Sequence, residues 1–277
     1  MKHTEGSFTG KGGVDLYYQS WAPDGSVGDA LCLVHGVGEH SGRYGNVVKH
    51  FVPRGYAVYG FDLRGHGRSP GQRGHINSWA EYREDTHAFM ELVKMREPKA
   101  RLFQWGHSMG SLISMDYVLH YPEGLRGVVI SGSALEPVGV ASPGLVAVAK
   151  VLSRVWPTFS LTSGLEVGAI SRDPAVVKAY QEDPLVHGKT TPRWGTESLN
   201  TIAWIKAHLQ EWRVPVIILH GGGDRIVSSH GSQFFFDALP IADKELHIYE
   251  GSYHEPHNDI QREKVFADVE TWLKKHA

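Results

Sequence analysis

The sequence has little cysteine, no long apolar run and almost no net charge. Its one cysteine, Cys32, excludes an internal disulfide and a zinc site built from several cysteines. The longest stretches free of Asp, Glu, Lys and Arg, residues 102–115 and 137–149, are too short to cross a bilayer. A net charge of −2 gives a nucleic-acid partner no electrostatic support. The first residues lack the apolar stretch of a secretory signal, so we expect a soluble, cytoplasmic protein.

The composition is that of a globular chain. Of the 277 residues, 41% are hydrophobic and 32 are glycine, and a chain of this kind can bury a large core. There is neither an internal repeat nor a low-complexity segment, and short apolar runs alternate with amphipathic stretches. This alternation predicts an α/β architecture, with a mostly parallel central sheet flanked by helices on both faces.

Individual elements follow from local patterns. Residues 14–21 alternate roughly between apolar and polar types and predict an antiparallel edge strand. Buried strands, which are short and rich in Val, Ile, Leu and aromatics, are predicted at 30–34, 56–61, 102–105, 127–131, 214–219 and 245–249. Helices are predicted at 79–96, 109–120 and 260–275, the last one capped by Asn258 and Asp259.

One segment interrupts this alternation. More than eighty residues separate the predicted strands at 127–131 and 214–219, which is far more than one crossover helix needs. We interpret residues 135–205 as a mostly helical cap, or lid, inserted into a core formed by residues 1–134 and 206–277. A separate small domain or an unrelated surface excursion is the alternative.

The strongest chemical signal is the pentapeptide Gly106-His107-Ser108-Met109-Gly110, which follows a predicted strand and opens a predicted helix. That context is the one required for a G-x-S-x-G nucleophile turn. A serine on such a sharp turn needs very small neighbours two positions away on either side, and the two glycines supply them. The helix that follows points its first amides toward the reacting centre.

A serine nucleophile needs a base, which in turn is oriented by an acid. In this kind of site the acid and then the histidine follow the serine in the chain. Asp224 fits because it comes after an apolar run and three glycines. Of its competitors, Asp62 precedes Ser108, and Asp237 and Asp243 lie in helical or turn contexts.

The candidate base is His254, which follows the predicted strand at 245–249. Its rival is His257, three residues further on. The two histidines could also form half of a metal pair, but no matching ligands stand out. We therefore expect neither a metal nor a cofactor.

Acyl transfer also needs donors for the developing oxyanion. One should be the backbone amide after the nucleophile, at Met109, and the other should come from the loop after an early strand. Val37, in the glycine-rich segment 35–38, is the candidate for the second donor. A glycine-rich turn without this role is the alternative.

At this point several blocks resemble the monoacylglycerol lipase and lysophospholipase family of the α/β-hydrolase superfamily, in its bacterial form. Residues 35–44, 62–69, 106–110, 180–185 and 249–254 resemble the blocks HGxGEHSGRY, DxRGHGxS, GHSMG, YxxDPL and YEGxYH. The resemblance spans nearly the whole chain. The sequence departs from the family at Ser111, where glycine is usual, and at 255–259, which is more polar than in animal members.

The resemblance implies an α/β-hydrolase fold with a triad of Ser108, Asp224 and His254 and oxyanion donors at Val37 and Met109. It also suggests polar contacts to a glycerol head group. The candidate substrate-binding residues are Glu39, Arg43, His107, Tyr180 and His257. For Glu39 and Arg43 the alternative is that they pair with each other and fix the loop.

The implied activity is hydrolysis of monoacylglycerols to fatty acid and glycerol through an acyl-serine intermediate. A general carboxylesterase, a lysophospholipase, another cofactor-free activity such as an aminopeptidase, and a non-catalytic receptor of the same fold stay open as alternatives. The apolar segment 138–161 predicts the mouth of an acyl-chain tunnel that contacts membranes or micelles transiently, and ordinary cap packing is its alternative. The sequence leaves the oligomeric state open.

Overall fold

The computed structural model describes residues 1–139 and 143–277. The strands in these residues are β1 (Lys2–Thr9), β2 (Asp15–Ala22), β3 (Asp29–Val34), β4 (Tyr56–Phe61), β5 (Arg101–His107), β6 (Leu125–Ser131), β7 (Leu161–Thr162), β8 (Lys189–Thr190), β9 (Val216–Gly221) and β10 (Lys244–Tyr249). The helices are α1 (Gly45–Phe51), α2 (Trp79–Arg96), α3 (Met109–His120), α4 (Pro143–Val155), α5 (Pro174–Glu182), α6 (Pro192–His208), α7 (Ser229–Ala238) and α8 (Arg262–Lys275). None of these helices is long and apolar enough to cross a membrane.

Within the described chain, eight strands form one sheet in the order β1-β2-β4-β3-β5-β6-β9-β10. Strands β1, β2 and β4 pair antiparallel, and all other neighbours pair parallel. The expected mostly parallel sheet is therefore confirmed, and the arrangement is the α/β-hydrolase fold. The prediction that residues 14–21 form an edge strand is wrong, because β1 pairs along the outer side of β2. The polar sequence of β1, which buries only Phe8, gave no strand signal.

The core lies on both faces of the sheet, as the continuous apolar runs of the central strands require. In β3 alternate side chains enter different layers: Leu31 and Leu33 pack with α1 and α8, whereas Ala30, Cys32 and Val34 pack with α2 and α3. Because parallel strands end at the same edge, the loops after β3, β5, β6, β9 and β10 meet there. That edge holds the candidate functional residues.

The segment between β6 and β9 contains α4, α5, α6 and the small antiparallel pair β7–β8. It is mostly helical, as the sequence predicts. The expected boundary at residue 205 falls inside α6, where Ile205 is fully buried against the main core. The division into core and cap stays a prediction.

Candidate active site

The turn after β5 carries Ser108 in a backbone conformation that non-glycine residues rarely adopt. Its φ is 54° and its ψ is −120°, and it is the one non-glycine residue with positive φ in the described chain. The two flanking glycines are a steric necessity. A Cβ at Gly106 would overlap Ser114 Oγ and the Gly110 carbonyl oxygen, and a Cβ at Gly110 would overlap the Val34 carbonyl oxygen. Such local strain is typical of functional sites.

The loops after β9 and β10 bring Asp224 and His254 together. Asp224 Oδ2 lies 2.7 Å from His254 Nδ1, and Asp224 Oδ1 accepts hydrogen bonds from the amides of Ile226 and Val227. Within the described residues, His254 Nε2 forms no hydrogen bond. The position of the two side chains depends on close backbone packing: a Cβ at Gly221 would overlap the Tyr253 carbonyl oxygen.

Burial and charge act in opposite directions on this pair. Burial lowers the pKa of His254, but the negative charge and hydrogen bond of Asp224 outweigh burial and raise it above its ordinary value. Burial raises the pKa of Asp224, but the two histidines beside it, His254 and His220, hold it well below its usual range. Asp224 is therefore an anion, and the imidazolium form of His254 is stabilised.

The structure places Ser108 near this pair. The Ser108 amide donates to the Ser131 carbonyl oxygen at 2.9 Å, and the ring of the preceding residue, His107, has its centroid 4.8 Å from that of the His254 ring. The two amides expected as oxyanion donors, Val37 N–H and Met109 N–H, donate no hydrogen bond to any residue in 1–139 or 143–277. Val37, Ser108 and Met109 all line one cavity. Free amides beside a nucleophile turn are the arrangement that an oxyanion needs.

That cavity has a volume of about 430 Å³ and is mostly apolar. Its walls come from the turn itself, the segment between β6 and β9, and the segment after Asp224. They include Leu112, Ala134, Val138, Leu165, Trp194, Ile202, Ile226 and Val227. Of the segment 138–161 expected at a tunnel mouth, Val138 lines the cavity, residues 140–142 lie outside the described chain, and much of α4 is exposed. A second cavity of about 310 Å³ shares Val37 and is lined by Tyr180, Asp183 and His187.

Glu39 and Arg43, two of the expected head-group contacts, belong to a buried ionic cluster. Arg43 donates to Glu39 at 2.6 Å and to both carboxylate oxygens of Glu255 at 2.7 and 2.9 Å. Glu39 Oε1 accepts from the Gly36 amide at 2.7 Å and thereby fixes the loop that carries Val37. The cluster joins this loop to the loop that carries His254.

The other three expected contacts differ in placement. Tyr180 reaches the second cavity and lies over the guanidinium group of Arg43, 4.5 Å from its Cζ atom. His107 and His257 are buried and line neither of the two cavities that contain Val37. Burial lowers the pKa of His257 to about 4 and that of His107 well below its usual range, so both rings are neutral. Among the five expected contacts, Tyr180 alone lines a cavity beside Val37.

Sequence reasoning missed two residues that contact the expected triad or its neighbours. Glu255 follows His254 directly and anchors its loop through Arg43, a contact that spans 212 positions of sequence. His220, at the end of β9, has its Nε2 atom 3.3 Å from Asp224 Oδ2. The one available signal was position, since both are polar residues within four positions of an expected catalytic group.

The chain is similar to known proteins over nearly its whole length. The family described as serine aminopeptidase, S33, matches residues 25–261. A monoacylglycerol lipase of Mycolicibacterium smegmatis is 36% identical over 274 residues, covering 99% of this chain and 98% of that protein. The crystal structure of a monoacylglycerol lipase from Paleococcus ferrophilus is 34% identical, with a TM-score of 0.84 over 95% of this chain and 99% of its own. A soluble variant of the Saccharomyces cerevisiae monoglyceride lipase, in complex with a substrate analog, is 26% identical, with a TM-score of 0.88 over 99% of this chain and 95% of its own.

Proposed function

This chain belongs to the hydrolase family described as serine aminopeptidase, S33, together with relatives named monoacylglycerol lipases, and on that basis we propose that it hydrolyses monoacylglycerols to fatty acid and glycerol. The observation that carries the proposal is one constellation at the carboxyl edge of the sheet. A strained Ser108, the Asp224–His254 pair and two free amides all lie beside an apolar cavity. Each element has a role in acyl transfer from an ester.

In the proposed reaction Ser108 Oγ attacks the ester carbonyl while His254 Nε2 accepts its proton. Asp224, bonded to Nδ1 at 2.7 Å, orients the ring and stabilises the imidazolium that forms. The amides of Val37 and Met109 donate to the oxyanion. His254 then protonates the leaving alcohol, and a water molecule activated by the same ring hydrolyses the acyl-serine. Every proton passes through one side chain, so the reaction requires no cofactor.

The two cavities suggest how a monoacylglycerol would be divided. The apolar cavity next to Ser108 suits an acyl chain, because burial of each methylene contributes about 0.8 kcal/mol. The second cavity offers a polyol the Tyr180 hydroxyl, which forms no hydrogen bond with a described residue. Because Arg43 bridges Glu39 and Glu255, and Glu39 also accepts from the Gly36 amide, we assign these two residues to the support of the loop rather than to the head group.

We infer that residues 135–205 act as a cap on the core. This segment supplies Trp194 and Ile202 to the apolar cavity and Tyr180 to the polar one. It is also hydrogen-bonded to the loop that carries Val37 and to the loop that carries His254. The His187 amide donates to the Gly38 carbonyl oxygen and the Glu255 amide to the Ile170 carbonyl oxygen, each at 2.8 Å.

The first test compares hydrolysis of monooleoylglycerol, a short p-nitrophenyl ester and a lysophospholipid. We expect the monoacylglycerol to be preferred and all hydrolysis to disappear in Ser108→Ala. Ser7→Ala, an exposed serine of β1, is the matched control and should keep full activity. Cleavage of the short ester alone would indicate a general esterase. Preference for the lysophospholipid would indicate a lysophospholipase instead of a monoacylglycerol lipase. Hydrolysis that survives in Ser108→Ala would refute the mechanism.

The family description raises aminopeptidase activity as a second candidate. Such an enzyme needs a free carboxylate near the nucleophile to bind the substrate amine. The candidates are engaged, because Glu39 is bonded to Arg43 and Glu166 lies 2.8 Å from Arg225. The mostly apolar cavity also favours an acyl chain over a charged peptide terminus. We therefore favour ester hydrolysis.

We further propose transient contact between the cap and lipid surfaces, consistent with the expected cytoplasmic location. The α4 region exposes Val155 at 78% and Trp156 at 57%, and Trp156 packs on Phe159 with ring centroids 4.8 Å apart. Such a patch on a soluble chain marks an interaction surface. Beside it, a cleft of about 580 Å³ is lined by Lys150, Arg154 and Arg193, none of which forms an ion pair with a described residue, and by one carboxylate, Glu197, which accepts from the Trp79 amide. This combination suits an anionic membrane surface.

Sedimentation with phosphatidylcholine vesicles, with and without phosphatidylglycerol, tests this contact in a Ser108→Ala background. Each basic residue near an anionic surface contributes about 1 kcal/mol, so the triple variant Lys150→Gln, Arg154→Gln and Arg193→Gln should bind about 100-fold more weakly. The matched control replaces the exposed Lys2, Lys99 and Arg126 by Gln. Equal losses in the two triple variants would refute a specific surface.

A further inference from the structure

Asp224 is held by more than its catalytic partner. Its Oδ1 atom accepts from the amides of Ile226 at 2.8 Å and Val227 at 3.1 Å. Its Oδ2 atom lies 2.7 Å from His254 Nδ1 and 3.3 Å from His220 Nε2. Both histidines are buried. A carboxylate held at both oxygens cannot rotate without breaking several of these contacts.

The surroundings of His220 fix its tautomer. Its Nε2 atom faces two groups that only accept, Asp224 Oδ2 and the Val227 carbonyl oxygen, each at 3.3 Å. Nε2 must therefore carry the proton. Its Nδ1 atom lies 2.6 Å from Ser232 Oγ on α7, and in the neutral ring this nitrogen accepts from the hydroxyl. A chain of contacts thus runs from Ser232 through His220, whose Nε2 proton is shared between the Val227 carbonyl oxygen and the nearby Asp224 carboxylate.

We propose that His220 is a positioning residue, which fixes the Asp224 carboxylate and shares its negative charge so that His254 is oriented without being over-stabilised as a cation. This inference rests on the proposed ester hydrolysis with Asp224 as the acid. The same Nε2 proton also reaches Val227, which lines the apolar cavity. A purely structural role would act through that wall rather than through Asp224.

The two roles differ in what they change. If His220 acts through Asp224, its loss lowers kcat for long and short acyl esters alike. It also leaves more of the Asp224 charge facing His254, so the pKa of His254 rises. The other charged or titratable groups that act on His254 are Glu39, Glu255, His107 and His257, and none of them is altered. If His220 acts only through Val227, its removal raises KM for long acyl esters and leaves kcat unchanged.

The experiment compares His220→Leu, which removes both ring nitrogens, with His220→Gln, whose amide retains an N–H donor. We expect His220→Leu to lower kcat about tenfold with KM for a short ester unchanged, and to move the acid limb of kcat/KM upward by about half a pH unit. His220→Gln should restore most of the wild-type kcat and most of the wild-type position of the acid limb. Ser232→Ala, which leaves the ring in place, should give a smaller change in the same direction. His247→Leu on the neighbouring strand β10 is the control.

Equal losses in the leucine and glutamine variants, or a change confined to KM for long acyl chains, would overturn the proposal. The pKa of His254, followed by NMR titration of its ring protons, provides a readout that needs no turnover. If the wild-type protein hydrolyses none of the esters, the proposed function fails. An upward shift of the His254 pKa in His220→Leu, and not in the control, would still support the positioning role of His220. An unchanged pKa in a folded His220→Leu variant overturns it.

Discussion

Replacing Arg43 by methionine tests whether the buried ionic cluster supports the loops that carry Val37 and His254. Arg43 donates to Glu39 at 2.6 Å and to Glu255 at 2.7 and 2.9 Å. The side chains of Arg43, Glu39 and Glu255 are only 8%, 4% and 3% exposed. Methionine has a similar length but no charge. The substitution therefore leaves two buried carboxylates without a counter-ion.

Removal of one partner from a buried ion pair costs about 3–5 kcal/mol, because the remaining charge is uncompensated. At about 2–3 °C per kcal/mol for a chain of this size, we expect the Tm to fall by about 6–15 °C. Arg101→Met is the matched control. Arg101 makes the same two-pronged contact with Asp29, at 2.7 and 2.9 Å, but is 39% exposed. Its loss should cost less than about 1 kcal/mol.

The pH dependence of this Tm loss gives a second signature. Burial raises the pKa of Glu255, but Arg43 outweighs burial and holds it below its usual value. In the wild type, Glu255 thus contributes stability above its unfolded pKa, and this is lost as the pH falls through the folded pKa. In Arg43→Met burial remains without the opposing charge, so the folded pKa lies above the unfolded one and acid stabilises the variant.

The Tm difference between wild type and Arg43→Met should therefore narrow from about pH 8 to about pH 5, as measured by differential scanning calorimetry. A loss no larger than that of Arg101→Met, or one that is the same at both pH values, would refute the reasoning. Activity gives a third measure, since Glu39 fixes Gly36 beside Val37. We expect kcat to fall more than KM changes.

Three further predictions concern the site itself. Because His254 must be neutral to accept a proton and its pKa is raised, kcat/KM should fall with acid through a midpoint above about 6.5, and a pH–rate profile with a lower midpoint would contradict this. Gly110→Ala should abolish activity and lower the Tm, because its Cβ overlaps the Val34 carbonyl oxygen, whereas Gly45→Ala, which meets open space, should do neither. Ile202→Trp fills the apolar cavity, so the ratio of kcat/KM for long acyl esters to kcat/KM for short ones should fall about tenfold or more. An unchanged ratio would show that the acyl chain binds elsewhere.

The sequence predicts the elements whose patterns arise from local physics. Helices α2 and α3 have the predicted bounds. For α3 the turn at Ser108 and the stop signal Tyr121-Pro122 mark the two ends, although every side chain from Met109 to Val118 is buried and no single apolar face exists. Strand β1 is missed because an edge strand that buries one side chain has no reason to be apolar. The prediction that Asn258 and Asp259 cap the last helix is wrong, because α8 begins at Arg262 after Gln261 and the Asp259 carboxylate binds Arg172 and the Tyr253 amide instead. A short polar residue is suited to either role, and only the fold decides between them.

The positions of Ser108, Asp224 and His254 could be inferred because each follows a strand, and parallel strands end at one edge. The contacts that hold them could not be. Arg43 meets Glu255 and Arg172 meets Asp259 across 212 and 87 positions, and no local pattern specifies such pairs. A sequence specifies which charges exist, whereas their partners depend on how loops pack above the sheet.

The expected head-group contacts illustrate a consequence of this limit. The motif around Glu39 and Arg43 identifies residues that matter to the site. A residue can matter because it contacts the substrate or because it supports the groups that make this contact. Burial separates the two. Arg43 directs three of its five N–H donors to Glu39 and Glu255 and lines neither cavity that contains Val37, whereas Tyr180 lines one of them. Specificity for the alcohol should therefore respond to substitution at Tyr180, and the rate of the chemical step to substitution at Arg43.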